Sequence, residues 1–462
     1  MGLHEEIEAG IDPSARHRDE AGEMTGAALV ALAEAGAAAL TAAGPAPFEP
    51  VSLPISNRVA DLAGFLAIWR AGCVAVPLHR AAAAATRQAA LDLVKPRFEL
   101  DLLAEPALSR LAETPPPSRP LLEGAALVIF TSGSTGAPKG VVIGAEGFAG
   151  KLAQIRARLR WPAAARVALP LQLTFIFGQW VAFQTLMTGG ALRLTQRFDP
   201  AGTRAALDAG GIDAIAAVPT MLRALLTEGG APAAAPFLLM TGGETLSAEL
   251  GGRLRAAFPA ARIADLYGLS ETNGCDFFNE GEDFEAHLGT LGRPGPGVET
   301  RIDPETGELQ IRTPYLMKGY LDRPDLTEAA AGGGWLRTGD MAAEAGGGAV
   351  RLVGRLKELI NRGGNKVAPM EVEAAFSAHP AVRACLVAGA ADAARGEAIH
   401  LLVVPAGPER PDPKALRDWA KGRIEPWKLP DAIHFADAIP LGATGKADRL
   451  GLRRMIEAGE LS

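Results

Sequence analysis

Apolar residues recur at helical spacing through MTGAALVALAEAGAAALTAAG (24–44), which predicts an amphipathic helix closed by a glycine. VADLAGFLAIWRAG (59–72) predicts a second helix, followed by a strand at CVAVPL. The unbroken apolar run ALVIF (126–130) suits a buried strand. Further strands are predicted at RVALPL, GALRLT, IDAIAAV, FLLMTG and RIADLYG, with helix-like stretches between some of them. This alternation argues for an α/β fold with largely parallel sheets. TPPPSRP (114–120) breaks the pattern and reads as a surface loop, and PVSLPISN (50–57) reads as a loop too.

The texture changes after about residue 297. ETRIDPETGELQIRT predicts a hairpin turning at Pro-Glu-Thr-Gly. From Arg355 a new unit is expected: a helix at VAPMEVEAAFSAHP, strands at AVRACLVAGA and AIHLLVVPAG, and a helix at PDPKALRDWAKGRI. The predicted organisation is a large α/β domain, 1–354, and a small α+β domain, 355–462. No internal repeat is visible.

Composition narrows the class. A chain of 462 residues with 48% hydrophobic residues has the bulk for a sizeable core. Its net charge of −7, without a basic block, gives no nucleic-acid footprint. Cys73, Cys275 and Cys385 form no CxxC pattern, which suits a reducing cytoplasm. The acidic N-terminus is unlike a signal peptide, and no apolar run is expected to reach the ~18 residues of a membrane span.

The chemistry concentrates first in FTSGSTGAPKG (130–140). A strand that runs into a Gly/Ser/Thr loop can aim backbone N–H groups and hydroxyls at an anion. Thr131, Ser132, Ser134 and Thr135 offer hydroxyl donors, Gly133 and Gly136 permit close backbone approach, and Lys139 adds charge. The spacing is not that of a P-loop, since Pro138 stands before the lysine and Gly140 after it.

This loop resembles the phosphate-binding loop of the adenylate-forming superfamily, which includes acyl- and aryl-CoA synthetases, luciferases and peptide-synthetase adenylation domains. Further motifs resemble that family in order and spacing: MTGGETL (240–246), LYGLSETNG (266–274), LRTGD (336–340), GRLKELINRGGNKVAPMEVE (354–373) and PLGATGK (440–446). The resemblance implies an ATP-dependent ligase that converts a carboxylic acid to an acyl-adenylate and then a thioester. By the same resemblance Glu271 ligates Mg²⁺, a role suited to a hard anionic oxygen, and Ser270 stands for the family threonine beside it. Tyr267 and Gly268 face the adenine, and Gly243 and Glu244 line the adenine and acyl pocket. Asp340 accepts from the ribose hydroxyls, Arg355 reaches the ribose or α-phosphate, and Lys446 bridges carboxylate and α-phosphate during adenylation. Lys357 matches the hinge, and Gly363 and Gly364 line the pantetheine channel.

LTFIFGQW (173–180) departs from the family pattern. Phe175 stands near the place of a frequent histidine, and no aspartate is present between Leu169 and Thr195 to hold an amino acid's ammonium. The acyl-pocket candidates are Phe175, Phe177, Trp180, Met240, Gly242, Leu269 and Gly274, and their character implies an aryl or medium-length alkyl acid. The chain is short for the family and ends soon after Lys446, so a free acceptor is expected. That acceptor is coenzyme A or a discrete carrier protein, and a homodimer is one admissible assembly. A non-catalytic relative would be expected to lack Lys446, Glu271 or Asp340, and all three are present.

Overall fold

The computed structural model describes residues 2–132, 138–229, 235–441 and 447–461. These form two compact units. One comprises 1–246, 250–300 and 311–336; the other comprises 247–249, 301–310 and 337–462.

The larger unit is built on two sheets with helices packed against them. The seven-stranded sheet runs, edge to edge, through Gly319–Tyr320, Pro138–Gly144, Ala125–Ser132, Val74–His79, Pro50–Ile55, Phe98–Leu100 and Leu108–Arg110. The nine-stranded sheet runs through Arg293–Pro294, Phe277–Glu280, Arg262–Tyr267, Leu238–Gly242, Ala214–Ala217, Arg166–Leu169, Ala191–Leu194, Arg16–Asp19 and Gly22–Thr25. Its central strands are parallel, as the alternating sequence pattern requires. Aromatic rings weld helices to this core: Phe183 meets Phe65 edge-on at 5.6 Å and Trp69 at 5.1 Å. Rings of this size are the largest single contributors to burial, and such pairs add about 0.5–1.5 kcal/mol each.

The predicted helices form at Gly26–Ala43 and Val59–Arg70. Two expectations fail. Residues 50–57 are not a loop: Pro50–Ile55 is a buried strand inside the seven-stranded sheet, parallel to Val74–His79. Of this strand, only Val51 and Ser52 pair with Phe98–Leu100, so Pro54 lies beyond that neighbour and its missing N–H breaks no bond on that side. The Gly26–Ala43 helix is also long and apolar enough, by length and composition, to cross a membrane. Alanine raises its hydropathy, and its buried Leu29, Ala33, Ala37 and Leu40 lie on the stripe that packs within the core. The hairpin Arg16–Thr25, which completes the nine-stranded sheet, carried no sequence expectation.

In the smaller unit, Gly396–Pro405 pairs with Val382–Asp392 on one side and is joined by Ile360–Arg362 and Ala432–Phe435. Helices Pro369–Ser377 and Pro413–Ala420 supply Val372, Phe376 and Leu416 to the core beneath it. Within this unit the strand carrying Asp340 pairs antiparallel with the one carrying Arg355.

Candidate active site

The strand Arg262–Tyr267 ends in a tight loop and returns as Phe277–Glu280. Gly268 is required at the entry. A Cβ there would lie 2.2 Å from the Cys275 nitrogen and 2.5 Å from the Gly274 carbonyl carbon. The loop is closed by the Gly274 N–H donating to the Leu269 carbonyl (2.8 Å) and the Asp276 N–H donating to the Tyr267 carbonyl (2.7 Å). Between them, Ser270–Thr272 make one 3₁₀ turn that presents Glu271. Asn273 adopts a left-handed conformation (φ 62°), tolerable for asparagine, and its Nδ2 donates to the Tyr315 carbonyl at 2.9 Å.

A fully buried ion pair supports this loop from below. Lys151 Nζ lies 3.0 Å from Asp276 Oδ1 and donates to the Cys275 carbonyl at 3.3 Å. Thr272 Oγ1 donates to the other Asp276 oxygen, and the Lys151 ammonium stands 4.8 Å from the centre of the Tyr315 ring. Every polar group of the pair is thus engaged, which a buried pair demands.

Glu271 itself is half-buried. Its Oε1 accepts from the Tyr320 hydroxyl at 2.8 Å, and its carbonyl accepts from the Met317 N–H at 2.7 Å. Oε2 has no hydrogen-bond partner among the described residues. Lys139, on the strand Pro138–Gly144, places its ammonium 5.2 Å from the centre of the same Tyr320 ring. Thr131 pairs with Lys139 across the adjoining strand. The edge of the Gly/Ser/Thr loop and the carboxylate therefore meet at one tyrosine, and the strands that carry them belong to different sheets of the same unit. Gly133, Ser134, Thr135, Gly136 and Lys446 lie outside the described residues, as does the side chain of Ser132.

The other candidates sit close along the chain. Gly242 must be glycine, because a Cβ would lie 2.4 Å from the Leu266 carbonyl oxygen. Gly243 follows with φ +79°, and Glu244 Oε2 accepts from both the N–H (3.1 Å) and the hydroxyl (2.8 Å) of Thr220. Glu244 Oε1 and Thr241 Oγ1 are buried without a hydrogen-bond partner among the described residues. Tyr267 meets Phe277 edge-on at 5.7 Å. Two residues before it, Asp265 is buried without an ion-pair partner among the described residues, and burial pushes its carboxyl up to about 8. Unpaired polar atoms and a carboxyl of raised pKa around one strand end suit a polar ligand such as a nucleotide base. The carboxylate oxygen left to Glu271 suits a hard cation.

Among the acyl-pocket candidates, Phe175 caps the helix Ile176–Met187 and is 40% exposed. Phe177 stacks on Trp180 at 5.2 Å, and Trp180 meets Trp161 edge-on at 6.1 Å. Trp180 and Met240 are enclosed, Leu269 is half-buried, and Gly274 (φ +77°) leaves a Cβ position 3.6 Å from the Trp180 Nε1. Asn57, which carried no sequence expectation, holds this region. Its Nδ2 donates to the Leu171 and Thr195 carbonyls and its Oδ1 accepts from the Leu173 N–H.

In the second unit, Asp340 is buried and its Oδ1 lies 2.9 Å from Arg355 Nε. The Gly339 N–H donates to Glu308 Oε1 at 2.8 Å, fixing the turn before it. Lys357 lies in the 3₁₀ turn Leu356–Glu358, and Gly363 and Gly364 (φ +58° and +84°) form the turn between Ile360–Arg362 and Asn365–Val367.

A model of the AMP-binding enzyme family matches residues 6–321, and a model of the AMP-binding enzyme C-terminal domain matches 371–446. A feruloyl-CoA synthase from Amycolatopsis is 30% identical over 446 residues, spanning 90% of each chain. A sulfoacetate–CoA ligase from Cupriavidus necator is 32% identical, over 80% of this chain and 74% of the relative. The solved O-succinylbenzoate coenzyme A synthetase of Bacillus subtilis, in complex with ATP and magnesium ion, superimposes with a TM-score of 0.83. It is 25% identical, with 98% of this chain and 99% of that one covered.

Proposed function

The chain belongs to the AMP-binding enzyme family, and from that premise we propose that it is an AMP-forming acid–thiol ligase whose acid is aryl or medium-chain alkyl. ATP and the acid give an acyl-adenylate and pyrophosphate; coenzyme A then takes the acyl group and AMP leaves. Coenzyme A is the acceptor named in each of the three relatives above, so transfer to a carrier protein has less support.

The observation that carries this proposal is the convergence on Tyr320. The ammonium of Lys139 and the carboxylate of Glu271, 132 residues apart in the chain, reach one ring. A triphosphate needs positive charge and a cation ligand side by side. Glu271 would hold Mg²⁺, which shields the triphosphate charge when bound. Lys139 and the Thr131 end of the loop would hold the departing pyrophosphate. Tyr267 and the strand end at Gly242–Gly243 would take the base, and Asp340 the ribose. Lys446 would neutralise charge developing between the carboxylate and the α-phosphate. A carboxylate is a poor acyl donor and the mixed anhydride a good one, so the work of the first half-reaction is positioning and charge stabilisation. Rotation about Lys357 would exchange the surroundings of the two halves, with Gly363 and Gly364 giving the pantetheine arm room. Phe175, Phe177 and Leu269 would line an acyl pocket of apolar, aromatic character, which suits an aryl or medium-chain alkyl acid.

ATP–pyrophosphate exchange with Mg²⁺ and no thiol, run against a benzoate- and cinnamate-like pool and a straight-chain pool, tests this function. Exchange with either pool, followed by coenzyme A-dependent thioester formation, is the expected result. No exchange with any member of either pool would overturn the assignment of acid class.

A further inference from the structure

Tyr320 is tied down from every side. Its short strand pairs with Pro138–Gly144, with Gly319 opposite Val142 and Tyr320 opposite Val141. The Leu321 N–H donates to the Gly140 carbonyl and the Lys318 N–H to the Val142 carbonyl, each at 2.8 Å. The Tyr320 N–H donates to Thr327 Oγ1 at 2.9 Å. Three residues earlier, the Met317 N–H holds the Glu271 carbonyl. The ring is 7% exposed, and its only polar atom is spent on Glu271.

A phenol so fixed does two things to the carboxylate. It occupies one oxygen and thereby fixes the rotation of the carboxyl group, leaving Oε2 as the ligating lone-pair donor. It also registers Glu271 against Lys139, whose ammonium faces the same ring. Resting on the ligase function proposed above, we infer that Tyr320 is the positioning residue for the Mg²⁺ ligand Glu271, coupling it to the phosphate-side Lys139. Carboxylates that ligate a metal are themselves ordinarily held by a hydrogen bond, and its loss typically weakens a metal site about 10–100-fold.

Tyr320→Phe separates the two roles, since the ring and its contact with Lys139 persist while the hydroxyl is lost. Two quantities are read on the full chain: the Mn²⁺ affinity of the ATP complex, by electron paramagnetic resonance of free Mn²⁺, and the Mg²⁺ dependence of pyrophosphate exchange. The variant should bind Mn²⁺ in that complex about 10-fold more weakly and need correspondingly more Mg²⁺ for half-maximal exchange. At saturating Mg²⁺ its exchange rate and its KM for the acid should lie near those of the parent. Glu271→Gln should weaken Mn²⁺ binding on its own, and adding Tyr320→Phe to it should change nothing more. Thermal unfolding checks that both variants fold. Unchanged Mn²⁺ affinity in Tyr320→Phe, with Glu271→Gln impaired, overturns the positioning role alone. A fall in exchange that excess Mg²⁺ does not restore overturns it too. Unchanged affinity in Glu271→Gln overturns the metal assignment itself, and with it this inference.

Discussion

Asp340 and Arg355 stand opposite each other in register on neighbouring antiparallel strands, with Arg355 Nε 2.9 Å from Asp340 Oδ1. The aspartate side chain is 2% exposed and that of the arginine 58%. A pair so lopsided in exposure holds the carboxylate in one orientation more than it stabilises the fold, since exposed partners contribute at most about 1 kcal/mol. Asp340→Asn preserves shape and removes charge. It should weaken ATP binding by about 10–100-fold, the value of hydrogen bonds to a charged acceptor at roughly 1.5–3 kcal/mol. Calorimetric titration with ATP measures this, and undiminished affinity would remove Asp340 from the nucleotide site. Arg355→Ala should shift the melting temperature little.

The two half-reactions should separate by mutation. Lys446→Ala should abolish adenylate formation, read as pyrophosphate exchange, and spare thioester formation from a supplied acyl-adenylate. Lys357→Pro should do the reverse, because proline restricts the backbone rotation a hinge needs. Equal loss of both halves in Lys446→Ala, or an intact second half in Lys357→Pro, would contradict the respective role.

Lys151→Met should be severely destabilising. It strands Asp276 as a fully buried carboxylate without its cation, which costs about 3–5 kcal/mol. Chemical denaturation would show the loss as a lowered midpoint. The double variant Lys151→Met, Asp276→Leu should recover much of it, because two apolar groups can replace a buried pair at little cost. A single variant as stable as the parent would show that the loop does not depend on the pair.

Asp265 makes stability depend on pH in a particular direction. Its folded carboxyl titrates at about 8, above an unfolded value near 3.9. The folded chain therefore binds the proton more tightly. The group's contribution is complete below about pH 4 and is lost as pH rises towards 8. His17, whose burial lowers it to about 4, slopes oppositely between 4 and 6.5, so the comparison must be a difference between variants. Asp265→Asn should gain on the parent by on the order of a few kcal/mol between pH 5 and pH 8. Parallel stability profiles would show that Asp265 ionises freely.

Much of this was legible in the chain. The apolar runs at 126–130, 237–242 and 262–268 became strands, because strongly hydrophobic segments between turn signals have few alternatives. Glu271 and Asp340 were singled out as candidates by their motifs, and their roles rest on the proposed function. Pro50–Ile55 was not legible, since propensity condemned its prolines and only the extent of the neighbouring strand excuses them. Tyr320 was missed because its partner lies 49 residues away and no local pattern announces it. One signal was available in composition. The chain has three tyrosines, and Tyr267, Tyr315 and Tyr320 all touch the loop that carries Glu271 or its supports. Asn57 left a weaker trace: a lone asparagine after a strand, where a left-handed residue (φ 60°) was needed.

The nine-stranded sheet is finished by the hairpin Arg16–Thr25, whose first strand pairs Arg18 with Arg193. His17, buried within it, accepts from the Leu192 N–H. On a ribosome that hairpin emerges long before the strand it will join. It must wait, edge unpaired, while the intervening helices and strands are made. Such long-range closure is slow and leaves sticky edges exposed. The stretch Arg16–Arg18 is charged at both ends, and lysine- or arginine-bearing edges resist wrong pairing. Both arginines also pair with Glu23 on the neighbouring strand, so the charges that mark this edge in the finished sheet belong to the hairpin as soon as it closes.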